Sequence, residues 1–96
     1  MNFKNFEEFE FKLDNLYDNE QYDTDDRIME NQIDNICKLS SLEEIDQYLW
    51  LYASVAGECE SFGRFQKLCR QLVSLNKIKL SDLAKYEEKC PANRWF

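Results

Sequence analysis

The sequence contains no histidine, the side chain that most often exchanges protons near neutral pH in enzyme active sites. Without histidine, neither a Ser/His nor a Cys/His nucleophile pair can form, and no G-x-S-x-G nucleophile elbow is present. The two glycines, Gly57 and Gly63, fit neither a Walker loop nor a dinucleotide-binding loop. We therefore expect a protein that is not an enzyme, with no catalytic residues and no cofactor.

Glycine and proline are scarce, and long apolar runs are missing. Two glycines and one proline in 96 residues provide too few turns for a sandwich or barrel of many strands. With 44% hydrophobic residues, a chain of this length can bury one core. No segment approaches the ~18 apolar residues of a membrane span, and none resembles a signal peptide. These features predict a single helical domain over residues 1–96, cytoplasmic and without a membrane partner.

The cysteines lack the spacing of a metal site. No C-x-x-C pair is present, and the residues in question are Cys37, Cys59, Cys69 and Cys90. In a reducing compartment they are expected to be thiols packed in the core. The acidic stretch between the first two predicted helices fails as an EF-hand, because its ligand and glycine positions hold the wrong residues. We expect no metal, with a four-cysteine site assembled by folding as the alternative.

Apolar periodicity predicts the first two helices. Asn5 caps a helix that runs to about Asp18, and its inner face is predicted to hold Phe6, Phe9, Leu13, Leu16 and Tyr17. The polar segment 19–23 is predicted to be a loop. Thr24 is the predicted cap of the second helix, whose inner face comprises Ile28, Met29, Gln32, Ile33, Ile36 and Cys37.

A third helix should occupy the centre of the bundle. Ser41 followed by Glu44 is a capping box that predicts where it begins. Its apolar stripe is Leu42, Ile45, Tyr48, Leu49, Tyr52, Val55 and Ala56. Trp50 and Leu51 widen that stripe over most of the circumference, which is typical of a buried helix. Gly57 either ends this helix or lets a neighbour approach it closely.

Two further helices complete the predicted fold. The fourth has the apolar positions Phe62, Phe65, Leu68, Cys69, Leu72 and Leu75, and Asn76 is its predicted left-handed end. Ser81 is the predicted cap of a short fifth helix, with Leu83, Ala84 and Tyr86 inside and Pro91 beyond its end. The terminal Trp95 and Phe96 either pack on the bundle or contact a partner. The predicted fold class is all-α, a small bundle of four helices plus a short C-terminal fifth helix.

Charge is distributed unevenly along the chain. Residues 1–34 contain eleven acidic residues and three basic ones, a net charge of −8. Residues 35–60 have five acidic residues and one basic one, a net of −4, whereas residues 61–96 have three and eight, a net of +5. The sequence therefore predicts a negative N-terminal part and a positive C-terminal part.

The acidic residues of the first two predicted helices recur at helical spacing. Steps of three and four align Glu7, Glu10, Asp14 and Asp18 on one ridge. Asp26, Glu30 and Asp34 form a second. Such surfaces are common as a means of solubility, but they also suit docking to a basic protein. The predicted partner-binding residues are Glu7, Glu10, Asp14, Asp18, Glu20, Asp23, Asp25, Asp26, Glu30 and Asp34.

The basic residues of the fourth helix allow two interpretations. Arg64, Lys67 and Arg70 lie close to one side of it, where they could contact phosphates or pair with the acidic helices. Because the whole chain has a net charge of −7, direct binding to nucleic acid is disfavoured. Pairing with the acidic helices, within one chain or in a homodimer, is the simpler interpretation.

In size and composition alone, a short, acidic, helical chain is similar to phage-encoded inhibitors of bacterial defence. These include anti-restriction and anti-CRISPR proteins, some of which mimic DNA in charge; no individual residues are matched. The leading hypothesis is thus an inhibitor that blocks a basic, nucleic-acid-binding effector. One alternative is an immunity protein or antitoxin that neutralises a basic toxin. Another is a helical structural or regulatory subunit that assembles with its own copies.

Overall fold

The computed structural model describes residues 3–59 and 62–90, apart from the side chain of Cys59. These residues form no strand. They form four α-helices and one 3₁₀ helix: α1 (Phe6–Asp18), α2 (Tyr22–Cys37), α3 (Leu42–Cys59), α4 (Phe62–Ser74) and η1 (Leu80–Glu88). The predicted all-α bundle with a short fifth helix is confirmed. Across the described ranges, no helix is long and apolar enough to cross a membrane.

Helix α3 is the centre of the core, as its broad apolar surface predicts. It contacts α1, α4 and η1. Its residues with at most 2% exposure are Ile45, Tyr48, Leu49, Tyr52, Ala53 and Ala56. Trp50 is half-buried, and its ring meets that of Tyr86 in η1 at a centroid distance of 5.0 Å.

Two buried tyrosine hydroxyls of α3 hold α2 in place. Tyr52 Oη donates to the carbonyl oxygen of Met29 at 2.6 Å. Tyr48 Oη accepts from Gln32 Nε2 at 3.1 Å, and Gln32 Oε1 accepts in turn from Asn35 Nδ2 at 3.0 Å. A buried hydroxyl without a partner is costly, so these bonds select one placement of α2 on α3. They also explain why Gln32, a polar residue, lies on the inner face of α2.

Helix η1 docks on α3 through one carboxylate. Asp46 Oδ1 accepts from Lys85 Nζ at 2.6 Å and from the hydroxyl of Tyr86. Burial alone would raise the pKa of Asp46, but these two hydrogen bonds and the positive charge of Lys85 together outweigh it and hold that pKa below its ordinary value of 3.8. The contact therefore favours the ionised form of Asp46.

Three of the predicted helix ends are confirmed. Asn5 Oδ1 accepts from the Glu8 amide at 3.0 Å, and Ser41 Oγ accepts from the Glu44 amide at 3.2 Å. Asn76 has a φ of 58° and ends α4 in the left-handed conformation. These caps depend on local sequence, which is why they could be predicted.

Two predicted caps are wrong. Helix α2 begins at Tyr22 with no side-chain cap, so Thr24 lies inside the helix. The reason is a tight corner in which Glu20 has a φ of 57°, which leaves only residues 19–21 between α1 and α2. Ser81 likewise lies inside η1, because the Asp82 carboxylate caps that helix by accepting from the Lys79 amide at 2.9 Å.

Four residues predicted to be on inner faces are exposed. Tyr17, Leu42 and Leu75 have exposures of 58%, 63% and 53%. They lie at or just beyond helix ends. Ala84 is exposed because η1 is a 3₁₀ helix: three residues per turn bring Leu83 and Tyr86 to one side and Ala84 to another.

Three of the cysteines are buried thiols, as predicted. They are Cys37, Cys69 and Cys90. Burial raises the pKa of Cys69 to about 12, which keeps it protonated at neutral pH. The side chain of Cys59 lies outside the described residues, as do Pro91, Trp95 and Phe96.

Gly57 does not end α3, which continues to Cys59. A Cβ at Gly57 would overlap the carbonyl oxygen of Lys89 at the end of η1. The second of the two predicted roles, close approach of a neighbour, is therefore the one observed. Gly63 in α4 is different, since a Cβ there would have no neighbour within 4 Å.

We predict opposite effects for Gly57→Ala and Gly63→Ala. In an exposed helix, alanine in place of glycine stabilises by up to about 1 kcal/mol, and Gly63→Ala should show part of that gain. Gly57→Ala should instead destabilise by about 1–3 kcal/mol, because Lys89 must move away. Urea unfolding of the two variants checks this, and stabilisation by Gly57→Ala would contradict the close approach.

Candidate functional site

The first predicted ridge is an exposed surface of α1. We call Glu7, Glu10, Asp14 and Asp18 the α1 ridge. All four are exposed, whereas Phe9, Leu13 and Leu16 of the same helix are buried. No member of the α1 ridge forms an ion pair with another described residue. Their charge is thus presented to solvent.

Three of the four residues of the α1 ridge are unfavourable for the helix that bears them; the exception is Glu7, which lies in the first turn, where the helix dipole favours a carboxylate. Glu10, Asp14 and Asp18 succeed one another at i,i+4, a spacing at which like charges destabilise a helix by a few tenths of a kcal/mol per pair. Asp18 is also the last residue of α1, and no basic residue lies in that last turn. A carboxylate there faces the negative end of the helix dipole. Folding alone does not account for this arrangement.

The second predicted ridge has a different environment. Asp26 pairs with Arg64 at 3.0 Å, and Glu30 pairs with Lys67. Both partners belong to α4, which packs beside α2. The predicted pairing of the basic fourth helix with the acidic helices is confirmed for Arg64 and Lys67. Asp34 remains exposed, but this ridge has lost much of its net negative charge.

The other predicted residues lie near the corner between α1 and α2. Glu20, in the left-handed conformation, and Asp23, in the first turn of α2, are both exposed. Asp25 is only half-exposed, because it turns towards α3. The structure therefore brings part of the predicted set together around this corner and separates Glu30 and Asp34 from it.

A groove of about 490 Å³ opens beside this corner, between α1, α2 and α3. We call it the acidic groove. Its apolar lining comprises Leu13, Met29, Leu51 and Val55. Its charged lining comprises Asp14, Asp25, Asp26, Glu58 and Arg64. Asp14 belongs to both the α1 ridge and the acidic groove, so the two surfaces are continuous.

Two tyrosines also line the acidic groove. Tyr17 and Tyr22 meet edge to face with ring centroids 5.5 Å apart, and their exposures are 58% and 49%. Tyr17 is in the last turn of α1, and Tyr22 is the first residue of α2. The tight corner between the helices is what brings the two rings together.

One carboxylate oxygen of Asp25, in the lining of the acidic groove, lacks a hydrogen bond from the described residues. This oxygen, Oδ1, is buried. Burial raises the pKa of Asp25 above its ordinary value of 3.8, the neighbouring Asp26 raises it further, and Arg64 only partly opposes both. The fold therefore holds a carboxylate where its charge is disfavoured.

The sequence did not predict the acidic groove. The sequence pattern places Tyr22 in the predicted loop and Tyr17 on the inner face of the first helix, and it indicates no role for Glu58. The available signal was a tyrosine on each side of the acidic corner. The two tyrosines form part of a groove only because α3 packs beside them as its third wall. That packing is a tertiary contact, which local sequence patterns do not predict.

The groove can attract cations, and it presents carboxylates and phenol rings to them. Within the described ranges, no group of three or more cysteine and acidic side chains is arranged to hold a metal ion. The chain matches no family model, and neither curated proteins nor solved structures give a match. Function must therefore be argued from the surfaces themselves.

We predict that Asp25→Asn raises the melting temperature at neutral pH. Because the folded chain binds the Asp25 proton more tightly than the unfolded chain does, the wild type loses stability as pH rises through this pKa. The neutral amide removes that loss. Well below pH 3.8, where Asp25 is protonated in both states, the advantage should disappear.

Asp23→Asn is the matched control, since Asp23 is exposed in the same first turn of α2. It loses the same interaction with the helix dipole, and its stability should change by less than about 0.5 kcal/mol. Thermal unfolding across pH measures both variants. A lower melting temperature for Asp25→Asn than for Asp23→Asn at neutral pH would contradict this description of Asp25.

Proposed function

We propose that this chain is a non-enzymatic inhibitor that binds a basic, nucleic-acid-binding protein through the α1 ridge and prevents its contact with DNA or RNA. The observation that supports this most is the contrast between two acidic helices. The carboxylates Asp26 and Glu30 of α2 have basic partners in α4, whereas those of the α1 ridge have none among the described residues. A basic partner protein would supply positively charged side chains to pair with the carboxylates of the α1 ridge.

The energetics of α1 favour the same proposal. Repulsion at i,i+4 and Asp18 at the end of the helix each reduce stability slightly. Surface residues that serve only solubility need not be placed at such positions. A residue set that lowers stability without structural benefit is typical of functional surfaces.

The α1 ridge is a less dense charge array than nucleic acid. Its carboxylates follow one another about every 4.5–6 Å along the helix axis, from a rise of about 1.5 Å per residue. One strand of duplex DNA carries a phosphate about every 3.4 Å. Charge on the α1 ridge can therefore steer association and orient the complex, but tight binding requires additional contacts.

The proposal is tested with Glu10→Lys/Asp18→Lys, the ridge variant. Its control is Glu87→Lys/Glu88→Lys, which makes the same change in net charge at two exposed positions at the end of η1. Affinity purification with the wild-type chain identifies the partner, and titration with that purified partner then compares the variants. We expect the ridge variant to bind about tenfold more weakly or worse, and the control to stay close to the wild type.

The ridge variant should also melt at a higher temperature than the wild type, because it relieves repulsion within α1 and places a cation at the negative end of the helix. Weaker binding then cannot come from unfolding. Raising the ionic strength from about 0.05 to about 0.5 M should weaken wild-type binding. Binding that is indifferent to salt, or equally weakened in both variants, would argue against the α1 ridge.

The same experiment separates the two kinds of basic partner. If the purified partner binds DNA or RNA, adding the chain should release the nucleic acid in a competition assay. A partner that is a toxin without nucleic-acid binding would instead indicate the immunity-protein alternative.

A further inference from the structure

The acidic groove is open to solvent and large enough to admit a side chain of another protein. Its volume of about 490 Å³ lies in the range of small-ligand pockets, about 300–1,000 Å³. Buried Leu13 and Met29 form part of its apolar lining. Such a lining suits the aliphatic part of a long side chain.

The charge of the groove selects a cation. Four carboxylates line it against one guanidinium, and that guanidinium, on Arg64, is held by Asp26. The remaining carboxylates are Asp14, Asp25 and Glu58. None of them forms an ion pair with another described residue. A cationic group entering here meets an excess of negative charge in a partly desolvated setting, where attraction is stronger than on an open surface.

The geometry distinguishes arginine from lysine. Tyr17 and Tyr22 present exposed rings on which a planar guanidinium can stack, and arginine makes such contacts more often than lysine. Asp14 and Glu58 are exposed, so their carboxylate oxygens can accept hydrogen bonds from a side chain that enters the groove. A guanidinium has five N–H donors in a rigid fork, and it can reach more than one carboxylate at once.

We infer that the acidic groove receives an arginine side chain of the protein partner, stacked on Tyr17 and Tyr22 and hydrogen-bonded to Asp14 and Glu58. The identity of the occupant as part of a basic protein rests on the proposed function. In that complex the α1 ridge provides steering, and the groove provides the anchoring contact that a single row of carboxylates lacks.

The test uses N-acetyl-argininamide as the probe and the isotope-labelled full chain at low salt. We expect saturable changes in the NMR signals of Tyr17, Tyr22 and Glu58, with a Kd on the order of a millimolar. N-acetyl-lysinamide should bind about threefold more weakly or worse, because it lacks the planar fork. Equal binding of both probes would overturn the assignment to arginine.

Tyr22→Ala and Glu58→Gln examine the groove separately. Each should weaken argininamide binding about threefold or more. Both residues are exposed, so the fold should persist, and the signals of α4 report whether it does. Glu7→Gln, on the α1 ridge but outside the groove, is the control and should leave the Kd unchanged. Unsaturable changes spread over all acidic residues, or unaltered binding in both groove variants, would overturn the inference.

Failure of this inference and failure of the proposed function can be told apart. If argininamide binds in the groove but the ridge variant still binds its partner normally, the groove remains and the role of the α1 ridge is wrong. If the ridge variant loses its partner but the probe does not bind in the groove, the proposed function remains and the anchoring arginine is wrong.

Discussion

The hydroxyl of Tyr52 is almost completely buried, and its bond to the Met29 carbonyl is the contact on which the arrangement of the other helices depends. A hydroxyl in that position must have a partner, and the helical backbone of α2 is the partner it meets. Tyr48 and Gln32 repeat the connection one turn further along α2. Together these bonds fix α2 on α3 in depth and in register. The same placement brings Asp25 and Met29 of α2 to the groove wall that Leu51 and Val55 of α3 form, while the tight corner between α1 and α2 brings Tyr22 to Tyr17.

Placement of α2 also decides which acidic residues keep their charge exposed. Packing beside α4 gives Asp26 and Glu30 basic partners, while α1 lies away from that pairing. Carboxylates of α2 therefore form ion pairs within the chain, whereas those of the α1 ridge form none with the described residues. Exposed ion pairs contribute little to stability, so this contrast matters more for what the surface can bind than for how firmly the chain folds. Asp46 is a second contrast, since its carboxylate pairs within the fold with Lys85 and Tyr86 of η1.

The sequence was sufficient for features that depend on a single helix. The central position of α3, the caps at Asn5 and Ser41 and the left-handed Asn76 follow from periodicity and local hydrogen bonding. The sequence was insufficient where the local structure depends on how two helices are connected or packed. The early start of α2 comes from the tight corner at Glu20, and the 3₁₀ geometry of η1 turned Ala84 outwards. The acidic ridges were recognisable as patterns, but the pairing partners across α4 and the third wall of the groove come only from packing.

The central claim is that the fold places the Asp25 carboxylate at the acidic groove with its Oδ1 atom buried and without a hydrogen bond from any described residue. The most direct measurement is the titration of side-chain carboxyl groups by ¹³C NMR, with Asp46 as an internal reference. Asp25 should titrate above its ordinary value of 3.8 because burial disfavours its charge, and Asp46 should titrate below that value. An Asp25 carboxyl that titrates at or below 3.8 would show that it is solvated or already paired, and the account of the groove would then be wrong.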